Sequence, residues 1–275
     1  VTHDNDTYGF EGTERELLAM TRDLDSLNND VGMPAMWSGV SDMIDAMGDP
    51  AASSRHTSRR TFLFGVGAAV AGGAALLSVG ATPALAGAAT RRSAARLDAR
   101  KATFPPADLK GDLAVAAVAA SLENLAVYAY TAGLSAATAG KLGTVPPAVA
   151  TFATTARSQH AQHAVAWNAV LKANKKAAVT IVNPKLAPTV NADFAKVTDV
   201  TGLANLALTL ETIAAETYQA ETAMLKSSAA IGLSSSIQPV EMQHIAILHY
   251  VLGQYPGVLA ASGAPLAFSP TSEAV

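Results

Sequence analysis

Glu241 and His244 stand three residues apart in Val240-Glu-Met-Gln-His-Ile-Ala-Ile-Leu248, an otherwise mainly apolar segment. On a helix that spacing stacks the two side chains on one face. A carboxylate on an apolar face needs a partner, because an unpaired buried charge is strongly destabilising even after the surroundings relax. Partners of suitable chemistry lie elsewhere in the chain. Glu123 is the only acidic residue between Leu113 and Ala139, Glu211 ends the apolar run that starts at Leu203, and His160-Ala-Gln-His163 repeats the spacing of three. Two helices with a single Glu and two with a pair at i, i+3 form the ligand layout of a carboxylate-bridged two-metal site inside a four-helix bundle. The candidate metal ligands are therefore Glu123, His160, His163, Glu211, Glu241 and His244.

The chain has no cysteine, which removes disulfides, thiolate metal sites, iron–sulfur clusters and a Cys nucleophile together. A metal would be held by oxygen and nitrogen, a donor set that suits iron, manganese or zinc. The helical neighbours of Glu123 (Ala119, Ala120, Ala126, Val127) and of Glu211 (Ala207, Leu208, Ala214, Ala215) are apolar, so both carboxylates are expected inside. Glu216 and Glu221 are expected on the wet face or near a helix end. Tyr130 and Tyr218 each lie seven residues after one of those two Glu, and core packing is their default role, with a hydrogen bond to a ligand carboxylate as the sharper alternative. Trp167 is expected in the core, and His249 off the ligand line. No Gly-rich phosphate loop follows a strand, and no feature points to a Ser-His-Asp arrangement.

Half of the 275 residues are hydrophobic and aromatics are only 5%. That balance favours closely packed Ala-rich helices, an all-α fold with one main core. Helix A is predicted from 108 or 112 to 139, helix B from 144 to 175 with Pro in its first turn, helix C from 202 to 227 and helix D from 237 to 252. Between B and C, residues 176–201 hold Pro184, Pro188 and the β-branched stretch at 179–182, which does not read as bundle helix. The connections thus run short, long, short. Leu122-Glu123 with Tyr130 is echoed by Leu210-Glu211 with Tyr218, and the pair at 160/163 by the pair at 241/244, as if two helical hairpins were copies of one unit.

The N-terminal part has a different composition. Residues 1–57 form an acidic leader, with a capping box at Thr13-Glu-Arg-Glu16 opening one helix through Leu24 and a second short piece from Ser41 to Met47. Residues 58–86 place Arg59-Arg60 before an uncharged Gly/Ala/Val/Leu run ending in Ala84-Leu-Ala86, which resembles a twin-arginine export signal. A membrane anchor through 62–86 is the competing reading, since about 20 apolar residues span a bilayer. Either translation starts near Met47 or the leader remains as a cytoplasmic tail. Residues 1–86 carry five Lys/Arg against eleven Asp/Glu and 87–275 fourteen against eleven, too weak and scattered a balance for a nucleic-acid surface.

With Leu-Glu on helices A and C and Glu-x-x-His on helix D, residues 105–255 resemble the ferritin-like superfamily, more narrowly the exported bacterial ferritin-like domain proteins with a twin-arginine signal. The resemblance implies a ferritin-like four-helix bundle with a long crossover between helices B and C, in a domain spanning 87–275 with its C-terminal tail. It also implies a metal site of oxidase or ferroxidase type at the six residues named above, and location outside the cytoplasmic membrane. His160 stands where the family has Glu. One fewer carboxylate points to an asymmetric or mononuclear site, and the alternative function is a non-catalytic structural or stress-related envelope protein with a degenerate site.

Overall fold

The computed structural model describes residues 14–48 and 104–254. The paired arginines, the apolar run to Ala86 and the C-terminal tail from Tyr255 lie outside the described residues. Among these there is no strand. α1 (Glu14–Leu27) passes through one π-helical turn, Asn28–Gly32, into α2 (Met33–Gly48). The bundle consists of α3 (Asp112–Thr138), α4 (Pro147–Ala173), α6 (Val200–Met224) and α7 (Ser228–Val251), with the short α5 (Ala187–Phe194) in the crossover.

Local chemistry sets the helix ends. Pro147 opens α4, where a missing N–H matters least. The Asp199 carboxylate accepts from the Gly202 N–H at 2.7 Å and caps α6, and Ser227 Oγ accepts from the Ala230 N–H at 3.1 Å and caps α7. Asp112, first in α3, accepts from the Lys226 and Ser227 N–H groups at 3.0 Å each, tying the α6–α7 connection to the start of α3.

α3 packs with α4, and α6 with α7, as two hairpins. Tyr130 of α3 reaches Glu211 of α6, while Tyr218, later in α6, reaches Glu123, earlier in α3. Contacts in reversed order mean that α3 and α6 are antiparallel, so α4 and α6 run parallel. A 27-residue helix is about 40 Å long, and the chain must retrace that length before α6 can begin. Residues 174–199 do so, held down by asparagines: Asn124 donates to the carbonyls of Val179 and Ile181, and Asn168 both donates to and accepts from the Val179 backbone. The ferritin-like bundle with a long second connection is the fold observed.

The crossover stays outside the bundle as expected and carries one short helix: α5 forms where the Asn183 side chain accepts from the Lys185 and Leu186 N–H groups and Pro188 sits in the first turn. Two expectations are corrected. α7 begins at Ser228 instead of 237, so Gly232-Leu-Ser-Ser-Ser236 is helical and Pro239 lies mid-helix. Burial of Leu233, Ser234 and Ile237, with the cap at Ser227, outweighs the turn-forming tendency of those residues. α2 starts at Met33, well before Ser41, because Met36, Val40 and Met43 share a buried face against α7.

The leader helices lie on the bundle, α1 against α4 and α2 against α7. The apolar interior forms two main clusters on either side of a polar layer. One holds Trp167, Val170, Leu171, Tyr218, Leu233 and Ile237 with Met36 and Met43 of α2; the other holds Tyr130, Phe152, Ile247 and Leu248 with Leu17 and Leu24 of α1. α3 is apolar enough and long enough to cross a membrane, and packing within this interior accounts for that composition.

Candidate metal centre

Each bundle helix projects its part of the site into the layer between the two apolar clusters: Glu123 from α3, His160 and His163 from α4, Glu211 from α6, Glu241 and His244 from α7. None is more than 2% exposed. All six residues singled out in the sequence are brought together. His160 Nδ1 lies 2.8 Å from Glu123 Oε2 and its Nε2 3.1 Å from Glu211 Oε1. His163 Nδ1 is 3.5 Å from Glu123 Oε2 and 3.1 Å from Glu241 Oε1. His244 Nδ1 is 3.2 Å from Glu211 Oε2 and 3.5 Å from Glu241 Oε2.

Two groups of four emerge, Glu123/His160/His163/Glu241 and His160/Glu211/Glu241/His244, each with one donor atom per residue all within 4.8 Å of one another. Glu241 and His160 belong to both. Glu241 can serve two positions with its two oxygens. A neutral imidazole has a single free lone pair, so His160 can ligate at only one of them.

A second pair of observations tests whether this donor set fits a cation. His163 Nδ1 and both oxygens of Glu241 are buried yet have no hydrogen-bond partner, although His163 Nδ1 and Glu241 Oε1 are only 3.1 Å apart. Orphaned buried carboxylate oxygens are strongly disfavoured, and a cation between these atoms would satisfy them. The residues present fit an oxygen- and nitrogen-bound metal.

Without a metal the site balances its charge by protonation. Burial favours neutral His160, yet the carboxylates of Glu241, Glu211 and Glu123 push that imidazole well above its ordinary pKa. His163 overcomes the same burial penalty through Glu123 and Glu241 and rises to about 9. His244 is raised by Glu211 and Glu241, again against burial. Burial alone would raise the two carboxyls, but His163 and His160 hold Glu123 down to about 2, and His160 and His244 hold Glu211 well below its usual range.

The surrounding groups form a bracing set with the pseudo-symmetry of the sequence echo. Tyr130 donates to Glu211 and Tyr218 to Glu123, both at 2.5 Å, so each tyrosine braces the other hairpin's carboxylate. The Trp167 indole N–H donates to the Tyr218 oxygen at 2.8 Å. Burial first, then the facing carboxylates, pushes both phenols well above their ordinary pKa, which keeps them protonated donors. Gln159 Oε1 accepts from His244 Nε2 at 2.8 Å, leaving Nδ1 turned towards the carboxylates.

More than half of the chain, residues 111–254, matches the ferritin-like domain family. The chain belongs to that family. The match covers the four bundle helices and all six converging residues, and excludes α1 and α2. No curated protein and no solved structure matches the chain.

Of Glu216 and Glu221, expected on the wet face or near a helix end, Glu221 lies in the last turn of α6, and both are buried, at 1% and 6% exposure. The early start of α7 sets Ser234 against Thr222 at 2.6 Å, so the last turns of α6 are packed where a start at 237 would leave them open. Burial, aided by the charge of Glu123, raises Glu221 to about 8. Gln159 was missed: it sits in the polar run Arg157-Ser-Gln-His160, and nothing local tells it apart from a surface residue. The tyrosines did carry a signal, their common seven-residue offset. His249 pairs with Gln254 away from the site.

Proposed function

We propose that this ferritin-like protein binds iron, or in its place manganese or zinc, at the centre of the bundle and acts as an oxidase or ferroxidase-type protein. The orphaned oxygens of Glu241 carry this reading. Glu123, Glu211 and Glu241 supply negative charge, and His160, His163 and His244 supply nitrogen donors once deprotonated. Iron held there supplies one-electron oxidation chemistry with dioxygen or peroxide as acceptor. The chain's own contribution is orientation: Gln159 fixes the His244 tautomer with Nδ1 free, the tyrosines fix Glu123 and Glu211, and the two apolar clusters exclude water.

Metal analysis of the purified protein tests the reading. At least about one tightly held ion per chain is expected, lost in Glu241→Ala. A wild-type protein that takes up none of the three metals would overturn it. The second reading, a non-catalytic structural or stress-related envelope protein, is favoured by one observation: His160 and His244 nitrogens lie 2.8 to 3.2 Å from Glu123 and Glu211 oxygens, and the tyrosines and Gln159 close most of that network without an ion.

We further propose that the protein is exported by the twin-arginine segment, with membrane anchoring through 62–86 as the variant in which the segment is not cleaved. Arginines stand on both flanks of the run, Arg59 and Arg60 before it and Arg91 and Arg92 after it, so the orientation follows from the twin-arginine reading, in which the N-terminal flank stays on the cytoplasmic side. Export therefore requires α1 and α2, which precede it, to leave the bundle. Cell fractionation checks this, with the 87–275 portion expected outside the cytoplasm.

A further inference from the structure

Between α3, α4 and α6 a narrow apolar cavity of about 70 Å³, open to solvent on one side where Leu134, Leu206 and Leu210 are only half-buried, runs from the α3–α4 connection at Leu142 and Val145 to the metal centre. Along α3 its wall extends from Ala126 to Ala137, roughly 16 Å at 1.5 Å per residue. Every other lining side chain is aliphatic or phenylalanine, save two, Tyr130 and Glu211, and these lie at the end where the site begins. Gly133 and Leu203 form a narrow stretch: a Cβ on Gly133 would come within 3.0 Å of the Leu203 methyls, so the missing side chain keeps the passage open.

We propose that this cavity is an apolar binding site that brings a small neutral apolar molecule of dioxygen's size to the Glu211 side of the centre. Three features select that ligand. Water needs two to four polar partners to stay in a cavity, and Tyr130 already donates its one proton to Glu211. A cavity of roughly 150 Å³ admits benzene, and this one has about half that volume. The lining has no Lys, Arg or His, and its one charge is a carboxylate, which repels acids such as fatty acids. Dioxygen as the occupant rests on the metal reading above, whereas binding of an apolar atom does not.

Xenon is the probe for the metal-free protein. Under xenon pressure the Ala129, Leu203 and Leu210 methyl resonances should move saturably. Ala207→Phe, which fills the space from α6, should weaken that binding at least about tenfold, and Leu210→Ala, which widens it, should strengthen it. Circular dichroism reports whether Ala207→Phe folds, and Ala153→Leu on the α4 wall replaces it if it does not. No saturable shift in the wild type, or an unchanged shift in a folded filled variant, overturns the cavity. In the iron-loaded protein, oxidation by dioxygen should slow about tenfold in the filled variant while oxidation by peroxide, a polar molecule, stays unchanged; equal slowing overturns delivery. A chain that binds xenon but no iron sinks the metal reading alone, and one that binds iron but no xenon sinks the cavity alone.

Discussion

At the scale of single residues, His160 decides how many ions the site accommodates. It faces Glu123 through one nitrogen and Glu211 through the other, and both groups of four donors include it. Three carboxylates fall one negative charge short of neutralising two divalent ions, and a neutral imidazole cannot ligate both positions. His160→Glu supplies a fourth carboxylate. Metal titration should therefore rise from about one ion per chain in the wild type to about two in the variant; an unchanged stoichiometry would show that charge is not what limits occupancy. Loading must also displace protons, since His160, His163 and His244 are all raised in the metal-free site. Calorimetry in buffers of different ionisation enthalpy should register proton release at neutral pH.

At the scale of elements, two helical glycines separate close packing from mere tolerance. Gly39 of α2 meets α7 backbone to backbone: a Cβ there would lie 3.0 Å from the Leu233 nitrogen and 3.1 Å from its Cα. Gly232 of α7 has nothing within 4 Å of the same position. Gly39→Ala should consequently loosen α2, read as faster amide exchange over 33–45, and destabilise the protein by about 1–3 kcal/mol. Gly232→Ala should stabilise it by about 1 kcal/mol through helix propensity. Equal responses at the two sites in urea denaturation would mean that α2 is not seated on α7 in solution. The sequence located α2 only in part because its buried face, Met36, Val40 and Met43, takes its meaning from a helix two hundred residues away.

At the scale of the whole molecule, the polar layer makes stability depend on pH in the metal-free protein. His163 has an unfolded value of 6.5 and a folded one of about 9, so its contribution is complete below 6.5 and lost as pH rises through 9. Glu221, raised from 4.5 to about 8, favours the folded state while protonated and also loses that contribution as pH rises. Glu123 works in the opposite direction: lowered from 4.5 to about 2, it contributes above 4.5 and fails as pH falls through 2. The metal-free protein should be most stable between about pH 4.5 and 6.5. Its Tm at pH 9 should be lower than at pH 6 by on the order of 5–10 °C, and metal loading should remove much of that loss. A flat profile in the chelated protein would contradict the charge pairing.

The bundle, the long second connection and the six converging residues were legible along the chain, because each rests on a local signal: apolar runs at helical spacing, isolated acids among alanines, and pairs three apart on one face. Long-range packing is what makes α1 and α2 cover the bundle, starts α7 early with Pro239 inside it, buries Glu216 and Glu221, and sets each tyrosine against the opposite hairpin's carboxylate. These depend on which surface meets which across long stretches of chain. Burial against a distant partner can outweigh a local turn or capping preference, and local spacing carries no information about that partner.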